Sequence, residues 1–199
     1  MKFTGRQTLL YLTTKALHEM IDLTPGVFVT PAISLIAIAL LYIYFLKKAS
    51  DKPLFRRFIG AVAGLSFLLN YAWEIGHCPL YTVCMYDGPH IIFLALASLA
   101  DVIMVGLLYF GFALIYRNGL WIMHLTASRV FWLILVGGAG AIVSEIAHLS
   151  TGNWAYTNRM PIIPGIEVGL TPVLQFTILP VLIYSLSSFL LLKSHETSH

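Results

Sequence analysis

Two glutamate–histidine pairs stand where an apolar chain can least accommodate charge. Residues 73–77 read Trp-Glu-Ile-Gly-His and residues 144–148 read Ser-Glu-Ile-Ala-His, each closing a long apolar run. Helix positions three apart share a face, so Glu74 with His77 and Glu145 with His148 form two matched pairs. A charge inside a spanning segment costs at least roughly 3 kcal/mol at the centre, and such residues usually face the bundle interior. Two chemistries suit these pairs. Neighbouring carboxyls push their proton affinities apart, which leaves one acid and one base at neutral pH; His77 and His148 would then orient the acids or relay protons. Alternatively, Glu-x-x-His on facing helices is how di-iron bundles are built, and Glu74, His77, Glu145 and His148 would then hold a divalent metal, iron or zinc. The plainer reading of all four is an interfacial hydrogen-bonding role near a helix end.

Other polar residues join the candidates. Asp101 falls about 16 Å along its helix from His90 at 1.5 Å per residue, which places it near mid-bilayer and deep relative to the glutamates. A carboxyl there is either protonated or paired, serving as a proton relay at the base of a pocket or as a helix-to-helix hydrogen bond. Asn70 lies one turn before Glu74 and is placed to orient it. Gln175, on the last apolar run, is neutral and a poor metal ligand, so the carboxylates a di-iron site needs from further helices are not all visible. Trp73, Trp154 and Tyr156 are candidates for the walls of a pocket, where a Tyr π face would stabilise a cation; an interfacial aromatic belt is the simpler alternative. Arg159, the lone charge of its loop, would pair with a carboxylate or an anionic head group. Cys78 and Cys84 share one loop, as a short-loop disulfide or as two free thiols.

The elements that must position these residues are helices. The chain has 199 residues, 58% hydrophobic and 11% charged. Soluble domains carry roughly 25% charged residues, so the composition is that of a membrane protein. The net charge of +3 is small, and its basic residues cluster in one loop without interleaved aromatics, which argues against nucleic acid. Five apolar runs, about 27–46, 56–77, 91–116, 128–149 and 167–192, each reach the roughly 20 residues that a span needs. Lipid obliges backbone polar groups to bond within the segment, so the runs are read as helices. Residues 5–23 read as an amphipathic helix lying on the bilayer or capping the bundle, ended by Thr24-Pro25-Gly26. The expected fold is therefore an all-α polytopic bundle: one membrane domain over 1–199, with an amphipathic segment at 1–26, the bundle at 27–192 and a tail at 193–199.

Loop charge sets the expected orientation. Residues 47–57 hold five Lys or Arg against one Asp, Arg117 and Arg129 flank the third connection, and Lys193 lies in the tail. Residues 78–90 hold no Lys or Arg, and 150–165 only Arg159. The positive-inside rule puts the basic loops and the C-terminus in the cytoplasm and the N-terminus outside, as for a bacterial inner-membrane protein. Helices two and three with their loop resemble helices four and five with theirs, a same-direction internal repeat.

The stretch "GNWAYTNRMPIIPGIEVGLTPVLQFTILP" resembles the Trp-x-Tyr, Gly-rich loop and Pro-containing helix of integral-membrane lycopene cyclases and related carotenoid hydratases. "NYAWEIG" is similar to the Asn-x-x-Trp-Glu stretch of membrane terpene cyclases from meroterpenoid pathways. Together these cover about a third of the chain. The resemblance implies metal-free carbocation chemistry started by carboxylic acids, with Glu74 and Glu145 as those acids. Two departures stand out. Residues 173–175 read Val-Leu-Gln where the lycopene cyclases carry an acidic pair, and the meroterpenoid enzymes usually have seven helices. A separate family of small bacterial membrane proteins sharing the Trp-Glu, Asp and Trp-x-Tyr…Met-Pro pattern is the alternative affiliation.

The leading expectation is thus an intramembrane acid–base enzyme, of the isomerase or lyase kind, acting on an isoprenoid or other apolar lipid without a cofactor. A metal-dependent membrane enzyme is the second. A non-enzymatic lipid binder or proton-coupled carrier, using Asp101 and the glutamates as a proton path, is the third.

Overall fold

A computed structural model describes the backbone of residues 29–196 and the side chains of residues 29–191. The expected amphipathic helix and the end of the tail lie outside the described residues. The chain divides into two units, residues 1–33 and 34–199. Of the first unit only 29–33 are described, and they are helical. All that follows concerns the second.

Five helices, α1 (Val29–Lys48), α2 (Lys52–His77), α3 (Gly88–Ile115), α4 (Ala127–Ser150) and α5 (Leu170–Glu196), match the five apolar runs. All are long and apolar enough to cross a membrane. Their starts are written in the loops. Asp51 accepts from the Leu54 amide at 2.8 Å, Asp87 from His90 at 2.9 Å and Thr126 from Arg129 at 3.3 Å. Each cap satisfies an amide that the first turn leaves unbonded. The caps at Asp51 and Asp87 let α2 and α3 begin earlier than hydropathy alone places them. The fifth helix begins later, at Leu170 rather than 167, because Val168–Gly169 (β2) pairs antiparallel with Ile162–Ile163 (β1).

The extensive helix pairings are α4 with α5, α2 with α3, and α2 with α5, so α5 is the shared partner. Its seam with α4 depends on two glycines. Pro180 sits inside α5 and has no amide hydrogen, so the carbonyl of Phe176 loses its helical donor. Gly137 lies against that carbonyl, where any Cβ would collide with it, and Gly138 lies against Thr177. Small residues that let backbones approach are the usual basis of helix association in lipid.

One end of the bundle is an aromatic plug, with Tyr109, Phe110, Phe112, Trp121 and Tyr184 buried together. Its polar atoms are satisfied: Tyr184 donates to the Val105 carbonyl at 2.7 Å and the Trp121 indole to that of Tyr109 at 3.2 Å. Arg129 closes that end, donating to the carbonyls of Trp121 and His124 and lying over the Tyr116 ring. Leu68, Ile92, Phe131, Val143 and Phe189 lie on the exposed outside of their helices. In water such a surface would be a liability; against acyl chains it is the expected finish. The polar candidates gather at the opposite end, under the loops that follow α2 and α4.

Candidate functional site

The site is centred on Gln175, which α5 carries into the interior two turns after its start. Its side-chain amide nitrogen donates toward Asn70 Oδ1 at 3.0 Å, Asp101 Oδ2 at 3.1 Å and Glu74 Oε1 at 3.2 Å. Three helices, α2, α3 and α5, therefore meet through one NH2 group. Asn70 is held in register by its own donation to the Ser66 carbonyl at 2.8 Å. Asn70 and Gln175 are buried, at 0% and 2% exposure. An amide NH2 has two hydrogens, so three acceptors, two of them carboxyls, compete for two bonds.

The expected depth offset between Asp101 and Glu74 does not separate them. Side chains lean toward the N-terminus of their own helix, and α2 runs antiparallel to α3 and α5. Glu74 leans away from its loop, while Asp101 and Gln175 lean toward theirs. The lean, together with the reach of Gln175, closes the gap.

The Glu74–His77 pair forms as the spacing predicts, with Oε2 3.2 Å from Nε2. The Glu145–His148 pair does not. Glu145 Oε2 instead accepts from the Tyr156 hydroxyl and from the Trp154 indole at 3.3 Å. His148 Nδ1 is 2.8 Å from the Asn153 amide, and the ring stacks on Trp154 at 4.0 Å. The four expected metal donors consequently do not converge. Among the described residues, one trio of His, Cys, Asp or Glu brings its ligand atoms within 4.8 Å of one another, and it is Cys78, Cys84 and His90. There Cys78 and Cys84 form a disulfide, with His90 Nε2 3.7 Å from the Cys78 sulfur, so neither sulfur is a thiolate donor in this state.

The loop after α4 builds the Glu145 environment. The β1–β2 hairpin turns through Gly165 and Glu167, both with positive φ, and delivers Gly169 against Tyr156. The Gly169 amide donates to the Tyr156 hydroxyl at 3.1 Å, and a Cβ on Gly169 would press on that ring and on the Met160 sulfur. Both donors to Glu145 aim at Oε2, which leaves Oε1 without a hydrogen bond among the described residues.

The two outer loops join through a residue the spacing of acids did not single out. Tyr81 and Tyr156 face each other in an antiparallel bridge, with reciprocal bonds from Thr82 N to Ala155 O (3.0 Å) and from Thr157 N to Leu80 O (2.8 Å). Leu80-Tyr81-Thr82 and Ala155-Tyr156-Thr157 thus occupy equivalent places in the two repeats. That echo is the sequence signal that could have found Tyr81. Its ring lies between His77 (5.3 Å), Tyr156 (5.5 Å) and Trp154 (6.3 Å), linking the two acidic sets by an aromatic wall. Burial first, and then the nearby Glu145 carboxylate, push the Tyr81 phenol well above the ordinary range. Burial and the hydrogen bond to Glu145 do the same for Tyr156.

Of the residues singled out from sequence, Asn70, Glu74, Asp101 and Gln175 come together, with His77 attached to Glu74. Glu145, Trp154 and Tyr156 form the neighbouring set, with His148 on its edge. Trp73 faces a groove on α2. Arg159 is exposed and forms no ion pair among the described residues.

Fold and site define an all-α polytopic membrane protein with a buried carboxyl–amide cluster beneath aromatic loops. Comparison with family models, with curated proteins and with solved structures yields no match.

Proposed function

We propose that this protein is an intramembrane acid–base enzyme that isomerises, cyclises or hydrates an isoprenoid or a similar apolar lipid. The observation that carries the reading is the Gln175 amide shared by Glu74 and Asp101. Two carboxyls on one two-hydrogen donor, away from bulk water, favour keeping a proton between them. Glu145 is held differently: two donors converge on one oxygen, an arrangement that favours the carboxylate. One set supplies an acid and the other a base, as the chemistry requires.

In the proposed reaction the Glu74–Asp101 pair gives its proton to an alkene carbon and a carbocation forms. Tyr81, Tyr156 and Trp154 present ring faces that stabilise positive charge. Glu145 then takes a proton from a neighbouring carbon, which regenerates a double bond; where water adds instead, the product is an alcohol. A proton enters and a proton leaves, and no electron carrier or metal takes part. The resemblance to membrane lycopene and terpene cyclases supports the same reading. The distribution of Lys and Arg supports a bacterial inner-membrane location, with the aromatic loops and N-terminus outside and the C-terminus cytoplasmic.

The test is carbon-bound deuterium. Purified protein in nanodiscs is incubated in D2O with isoprenoid lipids, which are then analysed by mass spectrometry. Wild type is expected to incorporate non-exchangeable deuterium, and Glu74→Gln and Asp101→Asn to lose it. Undiminished incorporation in both variants, or none in wild type, would sink the proposal. Metal analysis of the same preparations decides the metal-enzyme alternative: stoichiometric metal that disappears in Glu74→Gln would favour it.

A further inference from the structure

A groove of about 430 Å³ runs along α2, lined by Leu69, Ala72, Trp73, Gly76 and His77, with Leu179 of α5 on its far side. Those five α2 residues recur at the three- and four-residue intervals of a single helix face. The groove is open because two of them are small: nothing lies within 4 Å of where a Cβ on Gly76 would stand. Its walls are apolar, yet two polar atoms on this face are buried without a hydrogen-bond partner, Trp73 Nε1 and His77 Nδ1. His77 is 8% exposed. Buried polar groups are nearly always bonded, and each one left open calls for an explanation.

The second repeat supplies the contrast. There the equivalent atom, His148 Nδ1, is bonded by Asn153, whereas the first repeat leaves its Nδ1 open. We infer that the groove binds a lipid bearing a hydroxyl group, whose oxygen accepts from the Trp73 indole and whose hydrogen is donated to His77 Nδ1. An indole N–H can only donate, so it needs an oxygen. His77, with Nε2–H directed at the Glu74 carboxylate, leaves Nδ1 as an acceptor. A hydroxyl is the simple group that satisfies both at once. A bare hydrocarbon satisfies neither.

The position matters because His77 also touches Glu74. A head group at Nδ1 lies one imidazole ring away from the Glu74–Gln175–Asp101 cluster. As a statement about substrate, the inference rests on the acid–base reading and narrows it to hydroxylated isoprenoids; as a statement about binding, it is tested without turnover.

The experiment uses full-length protein in nanodiscs with indole-15N tryptophan, the Trp73 signal being assigned by Trp73→Phe. Geranylgeraniol and the hydrocarbon of the same skeleton are titrated separately. The alcohol is expected to shift the Trp73 indole signal and the hydrocarbon to leave it in place. Trp73→Phe, followed through the alcohol's own signals, should bind about fivefold more weakly, the effect of one neutral hydrogen bond. Gly76→Leu, which fills the groove, should abolish binding. Equal binding of alcohol and hydrocarbon, or unchanged affinity in Trp73→Phe, overturns the inference. Alcohol binding without deuterium incorporation would overturn the enzymatic reading and leave the groove assignment standing. Incorporation without alcohol binding would do the reverse.

Discussion

Replacing Gln175 with leucine keeps a side chain of similar bulk and removes the one donor shared by α2, α3 and α5. Two hydrogens serve three acceptors, so the loss amounts to two hydrogen bonds at most, whichever pair is formed. Interhelical hydrogen bonds in membrane bundles average about 0.6 kcal/mol and reach about 1.7 kcal/mol. Gln175→Leu should therefore destabilise the bundle by roughly 1–3 kcal/mol. The assay is reversible unfolding in mixed micelles, followed by helical circular dichroism, on the single variant and on double variants with Asn70→Ala, Glu74→Ala and Asp101→Ala. At least two of the three pairs should show coupling, and the three couplings together should not exceed what two bonds supply, about 3 kcal/mol. If all three pairs are additive within about 0.5 kcal/mol, Gln175 is not the hub and the account of the site is wrong.

Other consequences are open to simpler measurements. Gly137→Ala should cost about 1–3 kcal/mol in the same assay, because its Cβ meets the Phe176 carbonyl, while Gly140→Ala, with nothing within 4 Å, should be neutral or stabilising by up to about 1 kcal/mol. Reducing the Cys78–Cys84 bridge, which closes a loop of sequence separation 6, should lower stability by about 2 kcal/mol on loop entropy, and equal melting with and without reductant would contradict this. Tyr81 and Tyr156 have folded-state pKa values raised above the ordinary one of about 10. The stability linked to them is therefore fully present below about pH 10 and is lost as the pH climbs toward their raised values. Tyr81→Phe/Tyr156→Phe should flatten that alkaline decline, and an identical decline in the double variant would refute the assignment.

Apolar runs and lipid physics determined most of this protein by themselves. A chain with five stretches near 20 residues, and no partner for bare backbone in hydrocarbon, must build helices there, and all five form. Loop residues refined the boundaries: Asp51 and Asp87 cap α2 and α3, information that hydropathy does not carry. The sequence also singled out Asn70, Glu74, Asp101 and Gln175, because polar groups in such runs are costly unless they meet. What it could not supply was their partners. Matched spacing suggested two equivalent Glu–His pairs, but spacing fixes only which residues share a helix face, not what stands opposite. Only the folded loops decided that Glu145 bonds Tyr156 and Trp154 while Glu74 keeps His77. Depth along separate helices likewise misplaced Asp101, since side-chain lean and the reach of Gln175 depend on how antiparallel helices are set together. The hairpin that seats Tyr156, and the two unpartnered nitrogens facing the α2 groove, exist only in three dimensions, because satisfaction of a polar atom is a property of its neighbours and not of its residue type.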